Sequence, residues 1–332
     1  MSQQRIRSGE ALPSPAPTRA RMAWCRAWLC RGLCAALAIT TAWAETEDPP
    51  SDESPATAGG PPGDRLIFMQ LSYLPSTLLR ADFKGADGSV RMYNQDISGA
   101  LVFFLPNRAR LNLALSRDRH SFRFRGNEEV EGLLETAYAT RVLAAYFGDL
   151  NENWSTVALT SVRTDVESGV SRSDGRMYSG QVLVQRDVGE NFQLGVGVLA
   201  SSRLDTGNLV IPTGMVSWAI TDRLRVRTMR GLHLLYKLDE ARHWEWGLNA
   251  EYHSRYIRLG DAGPAPGGVY RSRAVITTTS LMYRPNPGVT IGFEVGVVPW
   301  RELDIRERRG ARVWQQRIEP GLSAAALATI TF

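Results

Sequence analysis

From residue 65 onward, apolar and polar side chains alternate with a period of two rather than 3.6, as in strands with one apolar face. Across 191–200, Phe192, Leu194, Val196, Val198 and Ala200 share one face, with Gln193, Gly195, Gly197 and Leu199 on the other. Across 289–297, Val289, Ile291, Phe293, Val295 and Val297 alternate with Thr290, Gly292, Glu294 and Gly296. In 223–238 two short runs meet at Arg230-Gly231. Leu224, Val226 and Thr228 oppose Arg223, Arg225 and Arg227, then Leu232, Leu234, Tyr236 and Leu238 oppose His233, Leu235, Lys237 and Asp239. The connections alternate in length. Tight turns of Gly, Asn, Asp and Pro chemistry fall at 106–108, 149–153, 189–191, 221–223, 239–242 and 286–288. Longer polar segments lie between them, at 77–87, 119–132, 165–174, 203–208, 261–268 and 303–311. Short turns on one side and longer loops on the other mark an outer-membrane barrel. The pattern predicts an all-β chain folded as a single antiparallel transmembrane β-barrel over 65–332, of about 14 strands. A continuous strand over 223–238 would make 12 the alternative.

The stretch 243–257 shows why a membrane is expected. Trp244, Trp246, Leu248, Ala250, Tyr252 and Tyr256 share one face, and Glu245, Asn249, Glu251, His253 and Arg255 the other. From Trp244 to Tyr256 is about 40 Å at ~3.3 Å per residue, and a tilt near 45° projects this to roughly 28 Å. That is close to the ~25 Å lipid-facing band of such barrels, so Trp244, Trp246, Tyr252 and Tyr256 are the predicted aromatic girdle. A soluble sandwich alternates in the same way but has no reason to bracket the alternation with aromatics at membrane spacing. At the C-terminus, Leu322, Ala324, Ala326, Ala328 and Ile330 form one face of a last strand ending at Phe332. A last strand has to close the ring against the first, because an unpaired edge in lipid is costly. Phe332 and Ile330 resemble the signal read by the barrel assembly machinery, which is the partner expected during biogenesis.

The N-terminal composition changes the bulk picture. Arg26 and Arg31 precede a short apolar run, Leu33 to Thr41, that ends at Ala42-Trp43-Ala44. A basic region, an apolar region and an A-x-A site predict a signal peptide over 1–44, with Met22 as the better-proportioned start, exported through the Sec pathway. The run is too short for a membrane anchor. All three cysteines lie inside it, so the mature chain has no disulfide, thiolate metal site or cysteine nucleophile. Of 39 basic residues six fall in 1–44, and of 34 acidic residues one does, so 33 of each remain. The formal charge of +5 therefore belongs to the precursor, and no nucleic-acid partner is expected. Residues 45–64, acidic and rich in Pro and Gly, read as a disordered linker.

Some stretches carry a family resemblance. These are Val210-Ile211-Pro212 through Trp218-Ala219-Ile220-Thr221-Asp222-Arg223, the run Gly231-Leu232-His233-Leu234-Leu235-Tyr236-Lys237-Leu238, and Tyr252 to Leu259. They resemble a group of uncharacterised bacterial outer-membrane β-barrel proteins with a domain of unknown function. The resemblance implies a barrel in the outer membrane of a Gram-negative bacterium. It brings no catalytic residues to transfer.

If the apolar faces meet lipid, the opposite faces line a lumen. The lumen candidates are Arg223, Arg225, Arg227, His233, Lys237, Glu245, Asn249, Glu251, His253 and Arg255. Two readings stand: mutually paired charges that fill a narrow barrel, or a net-positive constriction that selects small anions. Chemistry at the site is less well supported. His253 and Ser254 are adjacent on a strand and point to opposite faces, so they cannot serve as base and nucleophile. Glu251 and His253 share a face, but two ligands alone do not make a metal site, and no metal or other cofactor is predicted. No nucleotide-binding glycine loop is present. The leading function is a narrow pore for small solutes or a structural barrel, with outer-membrane lipid as its surroundings. A surface hydrolase acting on lipid and an adhesion barrel are the alternatives.

Overall fold

The computed structural model describes residues 67–332, apart from 106–108, 128–129, 131, 206, 230, 240–242 and 263–264. The signal peptide, the linker and the turn at 106–108 lie outside the described residues. Among the described residues every regular element is a strand, save a 3-10 turn at Arg172–Gly175. The first half of the wall comprises β1 (Ile67–Asp82), β2 (Ser89–Phe104), β3 (Arg110–Arg125), β4 (Thr136–Asp149), β5 (Trp154–Glu167), β6 (Arg176–Asp187) and β7 (Phe192–Arg203). The second half comprises β8 (Gly207–Ala219), β9 (Leu224–Thr228), β10 (Gly231–Lys237), β11 (Trp244–Arg258), β12 (Val269–Asn286) and β13 (Val289–Arg306). The last two strands are β14 (Arg312–Ile318) and β15 (Gly321–Thr331).

Sequence neighbours pair antiparallel from β1 to β13, and β15 closes the ring. It runs against β1 from Gln70↔Thr331 to Leu78↔Ser323, and against β13 from Val289↔Ile330 to Val298↔Gly321. Phe332 takes part in the closure: its N–H donates to Met69 O at 2.9 Å, and Met69 N–H donates back at 3.3 Å. β14 continues the line of β15 beyond Glu319-Pro320 and pairs with the far half of β13, Arg301↔Ile318 to Arg306↔Arg312. Proline lacks the N–H a ladder needs, which breaks this last strand into two pieces occupying one place in the wall. The barrel therefore has 14 strand positions. Apolar side chains cover its outside, with Val196 69%, Phe293 64% and Leu115 55% exposed on well-separated strands. A continuous apolar exterior on a closed antiparallel wall is the architecture of an outer-membrane protein.

The strands run further than the loops predicted at 77–87, 119–132, 165–174 and 303–311. The reason is burial on both faces at the long-loop end. There Phe83, Phe122, Phe124, Leu134, Tyr270, Leu303 and Ile305 pack across the barrel axis into an apolar seal, each almost wholly buried. Tyr270 meets Phe122 edge-on, with ring centroids 5.4 Å apart. On the outer side of β12 and β13, the cross-strand pairs Arg271↔Asp304 and Arg273↔Glu302 build an ion cluster. Asp304, fully buried, accepts from Arg271 Nε at 2.7 Å and from Arg306 Nε at 2.9 Å. Glu302 pairs with Arg273 and accepts from Gln315 Nε2 at 2.6 Å. The β7–β8 loop covers this cluster, its Asp205 lying 3.5 Å from Arg271 and 3.6 Å from Arg306. Alternation therefore turns polar-out into polar-buried here, and the polar stretches resemble loops in sequence.

The wall is not uniform. β9 and β10 are only five and seven residues long, between neighbours of 13 and 15. β9 reaches only Val216 on β8, and β10 only Glu251 on β11. Among the described residues, β8 pairs with β9 only from Val216 to Ala219 and β11 pairs with β10 only up to Glu251, so above this low hairpin the ladders stop at Gly207–Met215 and Tyr252–Ile257. Pro212 lies in that stretch of β8, where a missing N–H interrupts no ladder. The end of β11 leans across the barrel instead, meeting β5 in parallel at Arg258↔Val166, and Gly260 N–H donates to Glu167 Oε2 at 2.7 Å. Arg258 binds three carbonyls, of Asp174 at 3.1 Å, Gly267 at 2.9 Å and Leu204 at 3.4 Å. The result is a window in the wall. The β9–β10 hairpin bounds it below, and the Asp205–Arg258–Arg271 clasp bounds it above.

Breaking that clasp should loosen the β7–β8 loop without dissolving the barrel. In Asp205→Ala, trypsin cleavage after Arg203 should accelerate by at least roughly tenfold, a change worth only about 1.4 kcal/mol of local opening. An unchanged cleavage rate would show that the loop is held by something else. At the opposite end, Asp239 Oδ1 accepts from Trp244 N–H at 2.9 Å and Oδ2 from His243 N–H at 3.1 Å. The Trp244 hydrogen bond first, then that of His243, holds this exposed carboxyl below the usual aspartate range. A depressed folded value adds stability above the unfolded pKa of about 3.9 and loses it as the pH falls through the folded value. Between about pH 7 and pH 3, the urea midpoint of the wild type should therefore fall further than that of Asp239→Ala. Equal falls would rule the contribution out.

Candidate functional site

Beneath the apolar seal lies a chamber of about 160 Å³, lined by β1, β2, β11, β12, β13 and β15. Leu74, Met92, Ile276, Val298 and Leu327 form its apolar lining. Its polar lining includes Asn94, Asn249, Glu251, His253, Arg255, Thr278, Glu294, Arg301 and Ser323. Strand periodicity places them there. Residues 249, 251, 253 and 255 are alternate positions of β11, and their neighbours Leu248 and Tyr252 point out to lipid.

Glu251 is the hub of the β11 group. Its Oε1 lies 3.4 Å from His233 Nε2 on β10, and its Oε2 lies 3.2 Å from His253 Nε2. His233 Nδ1 is 3.1 Å from Asn249 Oδ1, and the Asn249 amide donates to Thr278 Oγ1 at 3.4 Å. Two residues up the strand, Arg255 Nη1 sits 2.8 Å from His120 Nδ1 on β3. A guanidinium can only donate, so this imidazole nitrogen accepts, and the proton of His120 is on Nε2, facing Asp118 at 3.9 Å. Asn94 Oδ1 lies 2.8 Å from the same Nδ1, and the Asn94 amide Nδ2 donates to Ser76 Oγ at 3.3 Å. Farther along the lumen, Arg163 Nε donates to Asp165 Oδ1 at 2.7 Å, and Asp96 stands directly opposite Asp118. At the short-turn end Glu245 is buried against Arg284, each oxygen 3.3 Å from a guanidinium nitrogen.

The sequence-derived candidates divide accordingly. Asn249, Glu251, His253 and Arg255 line the chamber, and His233 reaches it through Glu251. Glu245 belongs to the ion pair below. Arg225, Arg227 and Lys237 sit on β9 and β10, outside the chamber lining, with Arg227 buried and the other two half-buried. Arg223 is a correction: it lies in the exposed turn before β9, because Thr221 Oγ1 accepts from the N–H groups of Arg223 and Leu224 at 3.2 and 3.0 Å and ends the strand there. In the proposed girdle, Trp244 packs on Tyr283 with centroids 4.5 Å apart, and Tyr252 stacks on Trp300 at 6.3 Å. Trp246 is half-buried and donates its indole N–H to Thr279 Oγ1 at 2.8 Å. Tyr256 is half-buried opposite Arg271, beside the ion cluster, since β11 has already left the lipid-facing wall at that height. Ile330 and Phe332 are exposed on the outside of the closing strand.

Sequence reasoning did not single out Asn94, His120, Glu294 or Arg301. Glu294 is on the lumen series of 289–297 and could have been found by extending the β11 argument to β13. His120 falls in a predicted loop, and Arg301 lies past the bulge at Pro299, where the register with β12 shifts between Val275 and Thr277. The charges on the chamber are also not the net-positive set suggested by Arg223, Arg225 and Arg227. Two carboxylates, Glu251 and Glu294, face two guanidiniums, Arg255 and Arg301.

Solved structures with similar folds include the COG4313 outer membrane channel from Pseudomonas putida F1, at 12% identity and TM-score 0.45, covering 81% of this chain and 96% of that one. Pseudomonas putida OprB gives 9% identity and TM-score 0.40, covering 80% and 94%. The KdgM porin in complex with disordered oligogalacturonate gives 11% identity and TM-score 0.34, covering 79% and 99%. At these values the likeness brings no cargo or mechanism to this chain. No curated protein matches it. The family described as Domain of unknown function (DUF6268) matches residues 123–332, more than half of the chain and every strand from β4 to the closing β15. The protein belongs to that family.

Proposed function

We propose that the protein is a narrow outer-membrane channel for small solutes, with its short turns toward the periplasm and its long loops outside. One observation carries this reading: a transmembrane barrel wall surrounds a chamber with polar groups from six strands where an inert barrel would be packed solid. The apolar seal above the chamber makes this the closed form of the conduit, because an apolar constriction excludes water and ions. The N-terminal signal sequence fits delivery through the Sec pathway, and Phe332 in the closing strand fits recognition by the assembly machinery. A lipid hydrolase is less well supported, since Ser254 is exposed on the outside of β11 while His253 faces inward.

The refolded barrel in planar bilayers should show rare, small conductance steps. Phe122→Ala combined with Phe124→Ala removes two rings from the seal and should raise the open fraction by about tenfold, a shift of only ~1.4 kcal/mol between closed and open states. A folded, heat-modifiable barrel that never conducts, with or without the two phenylalanines, would overturn the channel reading and leave a structural barrel.

A further inference from the structure

Most charged groups on the chamber are held. Glu251 lies between two imidazoles, Arg255 is on His120, and Arg301 contacts Met92 Sδ and lies 3.4 Å from Ser272 Oγ. Glu294 differs: it lines the chamber from β13 and has no hydrogen bond or ion pair among the described residues. The neighbouring Ser323 Oγ, on the facing strand β15, is buried and likewise unpartnered among the described residues. A carboxylate inside a protein is costly unless a cation or hydrogen-bond donor meets it. Beside Glu294 the lining is apolar, with Val298 on the same strand, Leu327 on the adjoining β15 and Leu74 on β1. The chamber's volume, about 160 Å³, equals the share of about five waters at ~30 Å³ each, room for about five heavy atoms.

We infer that the chamber binds a small organic cation, an ammonium head on a short apolar body, with the Glu294 carboxylate as its counter-charge. The head makes charge-assisted hydrogen bonds to Glu294 and donates to Ser323 Oγ, while the body covers the leucine and valine side chains. Arg255 and Arg301 at the seal end fix the orientation, because they repel the cationic head toward Glu294. The inference names the solute class of the proposed conduit and rests on that reading for its biological meaning, but binding can be measured without conductance.

Calorimetric titration of the refolded full barrel in detergent with n-butylammonium chloride tests it, with sodium butyrate and n-butanol as probes of the same body. Saturable binding is expected for butylammonium, at least tenfold tighter than for the other two, and weakened at least tenfold in Glu294→Gln. Butanol binding as tightly as butylammonium in the wild type would overturn the inference, as would unchanged affinity in a folded Glu294→Gln barrel. The wild-type comparison decides even if that variant fails to fold. Binding without conductance would keep this site and sink the channel, and conductance without butylammonium binding would do the reverse.

Discussion

A backbone N–H or C=O that faces hydrocarbon without a partner costs several kcal/mol, so a strand can cross a bilayer only if both its edges are paired or screened. Everything else here follows from how this chain meets that demand. Fourteen strand positions close into a ring, and the seam falls between the first strand and the last. Phe332 and Met69 exchange hydrogen bonds at that seam. The same demand explains the place of the prolines. Pro320 breaks the last strand where β13 bulges, Pro299 sits in that bulge, and Pro212 lies on the stretch of β8 above the end of its ladder with β9.

Closure sets an outline, and the interior has to fill it. At the long-loop end the filling is aromatic and aliphatic, and this excludes water from a full cross-section of the barrel. Below it the filling is polar, and the charged groups are almost all mutually engaged. The chamber lies between these two regimes, with the apolar side chains of β1 and β15 on one side and the carboxylates of β11 and β13 on the other. Its contents are set by period-two alternation on six strands at once. A one-residue slip of any of them would exchange a chamber residue for a lipid-facing one.

The barrel itself was legible in the sequence, because lipid imposes a strict apolar face on every strand and the alternation survives unaveraged. The β11 lumen series was legible for the same reason, from Asn249 to Arg255. What was hidden was burial of polar strand ends. Asp304, in the segment 303–311, read as loop because nothing local says that the β7–β8 hairpin will fold over it. His120 read as loop because a lone imidazole among Arg and Ser side chains looks solvated until Arg255 is brought to it from 135 residues away. Arg223 misled in the other direction, since alternation continues through it although the Thr221 hydroxyl has already turned the chain. The window was present in the letters, as two short runs meeting at Arg230-Gly231, but its height relative to the wall depends on register across strands.

A barrel resists deformation as a hoop does, and its stiffness comes from unbroken rungs all the way round. Over the upper half of this wall the rungs stop at β8 and begin again at β11, so that cross-section is a split ring held shut by a clasp of guanidiniums and carboxylates. A split ring changes its bore by flexing at the gap, and a whole one can do so only by stretching every joint. Any change in the width of the upper barrel is therefore concentrated in the relative movement of two strands. Those strands are β8, which carries little but wall, and β11, which carries a third of the chamber's polar residues.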